Sequence, residues 1–147
     1  MSTISLQVGL LGSIAQVQKL LQETSPAVEK VLDTAEAVIL NRIRTRFLAE
    51  VDTDGKPWIP SKAGQKRRSS GGTGTLFASG ALFHSIHAIR VSTTERSVTF
   101  DQTQAPYGVY HMRGTKHLPK REFLGVNSSD VAAVTSVLTK ALERGSL

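Results

Sequence analysis

Four histidines, two serines near a pair of them, and one glycine-rich run are the residues in this 147-residue chain whose types and spacing suit chemistry. His84 and His87 lie three apart, and His111 and His117 follow further on. A metal site needs such nitrogens to converge, with a carboxylate or thiolate completing the set and an outer partner fixing each ring. The chain has no cysteine, and no acidic residue sits beside either pair. A helix-to-strand switch between positions 84 and 87 would also turn the two rings apart, so these read as packing or hydrogen-bonding histidines. Ser79 and Ser85 stand close to His84 and His87, but a serine nucleophile needs an adjacent base and an oxyanion pocket, and no Gly-x-Ser-x-Gly elbow is present. Gly71-Gly72-Thr73-Gly74 follows a basic run instead of preceding Gly-Lys-Ser/Thr and a helix, the reverse of the order a phosphate-binding P-loop requires. The expectation is a chain with no catalytic residue, no metal and no cofactor.

Two other constellations suit contact better than reaction. Trp58, the single tryptophan, lies between Pro57 and Pro60, which hold the segment extended. Its indole would anchor that segment in the core or, as the alternative, against a neighbouring subunit. Tyr107, Tyr110, His111 and Arg113 form a polar-aromatic turn that reads as a hinge with one side packed on a sheet, or else as a catalytic lip or a binding surface. The formal net charge is +6, and its distribution is uneven: no acidic residue occurs between Asp54 and Glu95, whereas Lys56, Lys62, Lys66, Arg67, Arg68 and Arg90 all do. A loop of that composition would be drawn to polyanions without reading sequence.

The elements that must position these groups follow from periodicity. Ile4, Leu6 and Val8 alternate with polar residues, the pattern of a short strand, and Gly9 and Gly12 bracket a turn into a first helix around 13–22. Ser25-Pro26 starts a long amphipathic helix carrying Val28, Leu32, Ala35, Ile39, Ile43 and Phe47 on one face, and Asp54-Gly55 with Pro57 end it. Residues 61–75 hold almost nothing that could be buried and predict a mobile basic loop. A helical turn over 79–84 leads into an antiparallel hairpin, 86–92 and 97–102, across Thr93-Thr94-Glu95-Arg96, with Val98 and Phe100 on one face. One helical turn at 107–112 ends at Gly114, and Ser128 or Ser129 caps a closing helix whose stripe is Val131, Val134, Leu138 and Leu142. The predicted fold is α+β in one domain, 1–147: a small antiparallel sheet, made of the N-terminal strand and the central hairpin, packed against the long helix and the C-terminal helix. No apolar run approaches the length of a membrane span, which predicts a chain made and used in the cytoplasm, without membrane contact.

Five short signatures then fall in order: Phe47 at a helix end; Asp54-Gly55-Lys56-Pro57-Trp58; Gly80-Ala81-Leu82 running to Ile86; Tyr107, His111 and Gly114; and Arg121-Glu122-Phe123-Leu124-Gly125. In that order, with a variable basic loop between the second and third, the chain resembles the virion morphogenesis (tail completion) family of tailed bacteriophages, which includes proteins of Mu-like phages. Met112 stands where that family often has a polar residue, and Glu122 where proline is common. The resemblance implies a structural protein with no enzymatic activity. It would assemble as a homo-oligomeric ring, expected to be hexameric, at the neck or head-proximal end of the tail, completing the tail and enabling head–tail joining. Implied partners are neighbouring neck or connector rings and tail-tube proteins, with the implied location in the virion. In that setting the Lys62, Lys66, Arg67 and Arg68 segment would face a partner or weakly and non-specifically contact DNA in the lumen. The alternatives are a tail terminator that stops tube growth and a small basic nucleic-acid-binding protein.

Overall fold

The computed structural model describes residues 4–7, 25–93 and 95–145. Its elements are β1 (Ile4–Gln7), α1 (Ser25–Ala49), α2 (Lys62–Ser69), α3 (Ala81–Ser85), β2 (Ile86–Ser92), β3 (Glu95–Phe100), α4 (Gly108–Arg113) and α5 (Ser128–Glu143). The expected helix around 13–22 lies outside the described residues. The sheet is ordered β1-β3-β2, and β1 pairs antiparallel with β3 in the register Ile4 to Val98 and Gln7 to Glu95. The α+β class with a sheet, a long helix and a C-terminal helix is as the periodicity predicts.

The chain divides into two compact units. The first holds Ile43–His87 and Thr99–Gly125; the second holds the described parts of Ile4–Arg42, Ala88–Val98 and Val126–Leu147. In the second unit, Val28, Val31, Leu32, Ala35 and Ile39 of α1 are buried, as are Val98 of β3 and Val134 and Leu138 of α5. The three-and-four spacing of the α1 stripe therefore marks the buried face, because residues so spaced stack on one side of a helix. Glu95 and Arg96 belong to β3 and not to the predicted turn. Arg96 is 4% exposed, and its guanidinium donates to Ser92 O and pairs with Asp33 and Glu36 of α1, which offsets the cost of burying a charge. Residues 96 to 100 are all buried, so this strand is covered on both faces and the predicted split between Val98 and Phe100 on one side and Thr99 on the other does not separate core from solvent.

The start of α5 is one residue earlier than the serines suggest. Asn127 is the N-cap: its side chain accepts from Asp130 N, while the Asp130 carboxylate accepts from Asn127 N. That reciprocal pair satisfies two otherwise orphaned amides. Asp130 is fully buried and also accepts from Arg42 Nε of α1, and Ser129 instead accepts from Arg42 Nη2. No helix among the described residues is long and apolar enough to cross a membrane.

Candidate assembly interface and its supporting core

The five signatures of the sequence meet in the first unit. Phe47, at the last turn of α1, is 1% exposed and is surrounded edge-on by three rings: Trp58 with centroids 5.3 Å away, Phe83 at 5.5 Å and Phe123 at 5.9 Å. Phe100 extends the cluster, 5.2 Å from Phe123. Edge-to-face geometry brings the positive ring edge to the negative ring face and adds to the burial itself. Trp58 is thus a core residue; its Nε1–H donates to Glu122 O at 3.0 Å, and its backbone N–H donates to Glu50 O at 2.7 Å. Ile43 of α1, Leu82 of α3, Ile86, Ala105 and Leu124 complete the buried apolar set of this unit.

Polar groups lock the segments together. Asp52, Asp54, Gly55 and Lys56 build a tight turn in which Asp52 Oδ1 accepts from the backbone of Asp54 and Lys56, and Gly55 supplies the left-handed conformation at φ +82°. Arg121 is 3% exposed; its Nε donates to Ile59 O at 2.7 Å, and its Nη1 lies 3.3 Å from His111 Nδ1. Its backbone N–H donates to His111 O, so this one arginine ties α4 to the extended arm before α2. Burial first, then the adjacent guanidinium, lowers the His111 pKa from its ordinary value and holds the ring neutral. Burial likewise lowers the Arg121 pKa, which Glu50 partly counters. Gly114 closes α4 at φ +73°, where Tyr107 and His111 stack edge-on with centroids 6.2 Å apart. A Cβ at Gly125 would overlap Thr53, whose hydroxyl donates to Glu122 Oε1 at 2.6 Å, and Gly125 O accepts from Arg46. A Cβ at Gly80, which has φ +81°, would press on the His84 ring.

The two residues that depart from the family pattern are both engaged. Met112 Sδ lies 3.3 Å from the donating Phe123 N, and Glu122 pairs with Lys120 in addition to its bonds to Trp58 and Thr53. Among the four histidines, His84, His87 and His117 are exposed and His111 faces Arg121. No group of three or more metal-binding side chains converges among the described residues.

The basic segment differs from its prediction: Lys62–Ser69 is a helix, not a loop. Ser61 Oγ caps it by accepting from Gly64 N, and Gly71, at φ +76°, closes it with its N–H donating to Arg68 O. Three cations in the last turn complement the helix dipole. The lack of an apolar stripe did not forbid a helix because polar contacts and a close backbone approach hold it: Gly64 passes so close to Thr75 that a Cβ would lie 2.8 Å from Thr75 N. Arg67 Nη2 donates to Gly74 O at 2.7 Å, and Arg68 pairs with Glu50 at 2.8 Å. Lys62 and Lys66 stay exposed. Glu50, which the sequence did not single out, is central: with φ +56° it ends α1 and its carboxylate accepts from Thr75 N as well as from Arg68. Its only sequence signal is its place just past the end of the apolar helix, in the acidic run Glu50, Asp52 and Asp54 that precedes the acid-free stretch. Phe47, Leu48, Glu50, Arg68, Thr75 and Phe77 line a cavity of about 210 Å³ beside this junction.

Exposed apolar groups surround the same core: Leu48, Ile59, Tyr107, Tyr110 and Leu118 in the first unit. Of the signature residues, Phe47, Trp58, Leu82, Arg121, Phe123 and Leu124 are buried, whereas Tyr107 stands among the exposed groups. Neither a curated protein nor a solved structure matches the chain at a significant level. The family model described as the phage virion morphogenesis family matches residues 12–143, which places this chain in that family.

Proposed function

We propose that this chain is a non-enzymatic structural protein of the phage tail, of the Mu-like tail completion type. It forms a homo-oligomeric ring at the head-proximal end, completes the tail and makes it competent to join the head, and it remains in the virion. Membership of the virion morphogenesis family over residues 12–143 is the observation that carries this reading. The surfaces support it. Strand β2 stands at one edge of the sheet, with Ile89 and Val91 40% and 51% exposed at alternating positions. An edge of that kind offers unpaired backbone and apolar side chains to a neighbouring chain. The occupant is a second copy: among described residues the second unit carries six Lys and Arg against six Asp and Glu, so copies meet there without net repulsion.

Electron microscopy of a lysate in which this reading frame alone is stopped tests the function. Full heads beside unattached tails of normal length are the expected result. Overlong tubes would assign the terminator role instead, and intact infectious particles would remove the chain from assembly altogether.

A further inference from the structure

The excess positive charge of the chain lies in one unit. Among described residues the first unit holds eleven Lys and Arg against five Asp and Glu, whereas the second is balanced. Within the first unit two segments lack acids: residues 55–87, which include α2, and residues 102–121, which include α4. Arg121 joins them, since it holds Ile59 O just before α2 and His111 within α4. Lys62, Lys66, Arg113 and Lys116 are exposed and have no acidic partner among the described residues. Lys62 and Lys66 sit one helical turn apart on α2, about 6 Å along its axis. Lys66, Arg67, Ser70 and Gly72 line a shallow depression, and the buried Arg67 Nε there has no hydrogen-bond partner. The α2 backbone is fixed by the Ser61 cap and by the Arg67 and Arg68 tethers, so its free lysines are displayed on an ordered element.

We propose that the first unit binds the phosphate backbone of double-stranded DNA, without sequence preference, through Lys62, Lys66, Arg113 and Lys116. Separate point charges suit a run of phosphates better than a single compact anion, and exposed Tyr110, three residues before Arg113 on α4, adds a hydroxyl donor. This deepens the assembly reading and rests on it for the identity of the polyanion, the nucleic acid that a virion encloses. Binding strength should be governed by counterion release: about 0.9 in the slope of log K against log salt for each phosphate neutralised, hence a slope of about −3.6 for four cations. Affinity would then fall about 150-fold between 50 and 200 mM salt.

The test is fluorescence anisotropy of the full chain with a duplex DNA fragment across that salt range. The Lys62→Gln/Lys66→Gln variant is expected to reduce the slope to about −1.8 and the loss over the same range to about 12-fold. Lys62→Arg/Lys66→Arg should keep the original slope, and Lys30→Gln/Lys140→Gln in the second unit should leave it unmoved. Absence of binding at 50 mM salt, or an unchanged slope in the Lys62/Lys66→Gln variant, overturns the proposal. So does binding to anionic lipid vesicles or polyglutamate in preference to the duplex. A variant that loses DNA binding yet still yields joined particles leaves the assembly reading intact, so the two fail separately.

Discussion

Replacing Phe47 tests whether the family signatures act by building one aromatic core. Phe47 is 1% exposed and meets three rings within 5.9 Å, so truncation to alanine opens a cavity that its neighbours only partly fill. Buried Phe→Ala changes cost about 3–5 kcal/mol. Phe47→Leu removes three edge-to-face contacts of about 0.5–1.5 kcal/mol each, about 1.5–4.5 kcal/mol together, but keeps most of the volume, so it should cost less than Phe47→Ala, which loses the same contacts and leaves the larger cavity. At roughly 0.05–0.15 kcal/mol per residue, a chain of this size has enough stability to remain folded in both variants. Trp58, the only tryptophan and 5.3 Å from Phe47, supplies the assay. Urea unfolding followed by its emission, with circular dichroism in parallel, should show the alanine midpoint lowered by about 1–5 M for an m-value of about 1–3 kcal/mol/M. A loss below about 1 kcal/mol in Phe47→Ala, or equal losses in both variants, would refute the argument that this ring cluster organises the unit.

Asp130→Ala should cost about 2–3 kcal/mol in denaturant unfolding, because it removes the capping box and strands Asn127 N, while half-exposed Arg42 can rehydrate. Gly108→Ala places a Cβ 2.6 Å from Phe100 Cε2 and 2.9 Å from Leu82 Cδ1; net destabilisation of about 1–2 kcal/mol is expected despite better helix propensity, and a stabilised variant would show the helix free to move. His111 has a folded pKa below its unfolded value near 6.5, so the unfolded chain takes up the proton first as pH falls. Stability should therefore drop as pH falls below about 6.5 toward the folded pKa, with a smaller drop in His111→Gln when melting midpoints are compared at pH 7 and 5.5. Val91→Lys, on the exposed edge of β2, should leave melting unchanged but weaken self-association in sedimentation velocity.

Much of this fold was legible because its strongest signals are periodic. The α1 stripe from Val28 to Phe47 turned out buried at every named position, and Gly55 and Gly114 took the left-handed or open conformations that their turns demanded. Serine 128 or 129 as the cap of α5 failed by one place, since a capping box depends on reciprocal bonds between Asn127 and Asp130, and several adjacent residues have the right chemistry. Helix α2 was missed for a different reason. Its stabilisation comes from Ser61, Glu50, Gly74 and Thr75, contacts up to 25 residues apart that hydrophobic periodicity does not encode. Buried Arg96 and Arg121 were illegible likewise, because a charge is read as exposed until its partners are known. The order of the signatures carried what their individual chemistry did not: Phe47 and Trp58 lie far in sequence from Arg121 and Phe123, and the segments meet in one core.

The position of the protein in the finished particle bears most directly on the central claim. Immunogold labelling of intact virions with an antibody to this chain should place the label at the junction of head and tail. Label spread along the tail tube, or confined to the distal tip, or absent from purified infectious particles, would contradict it.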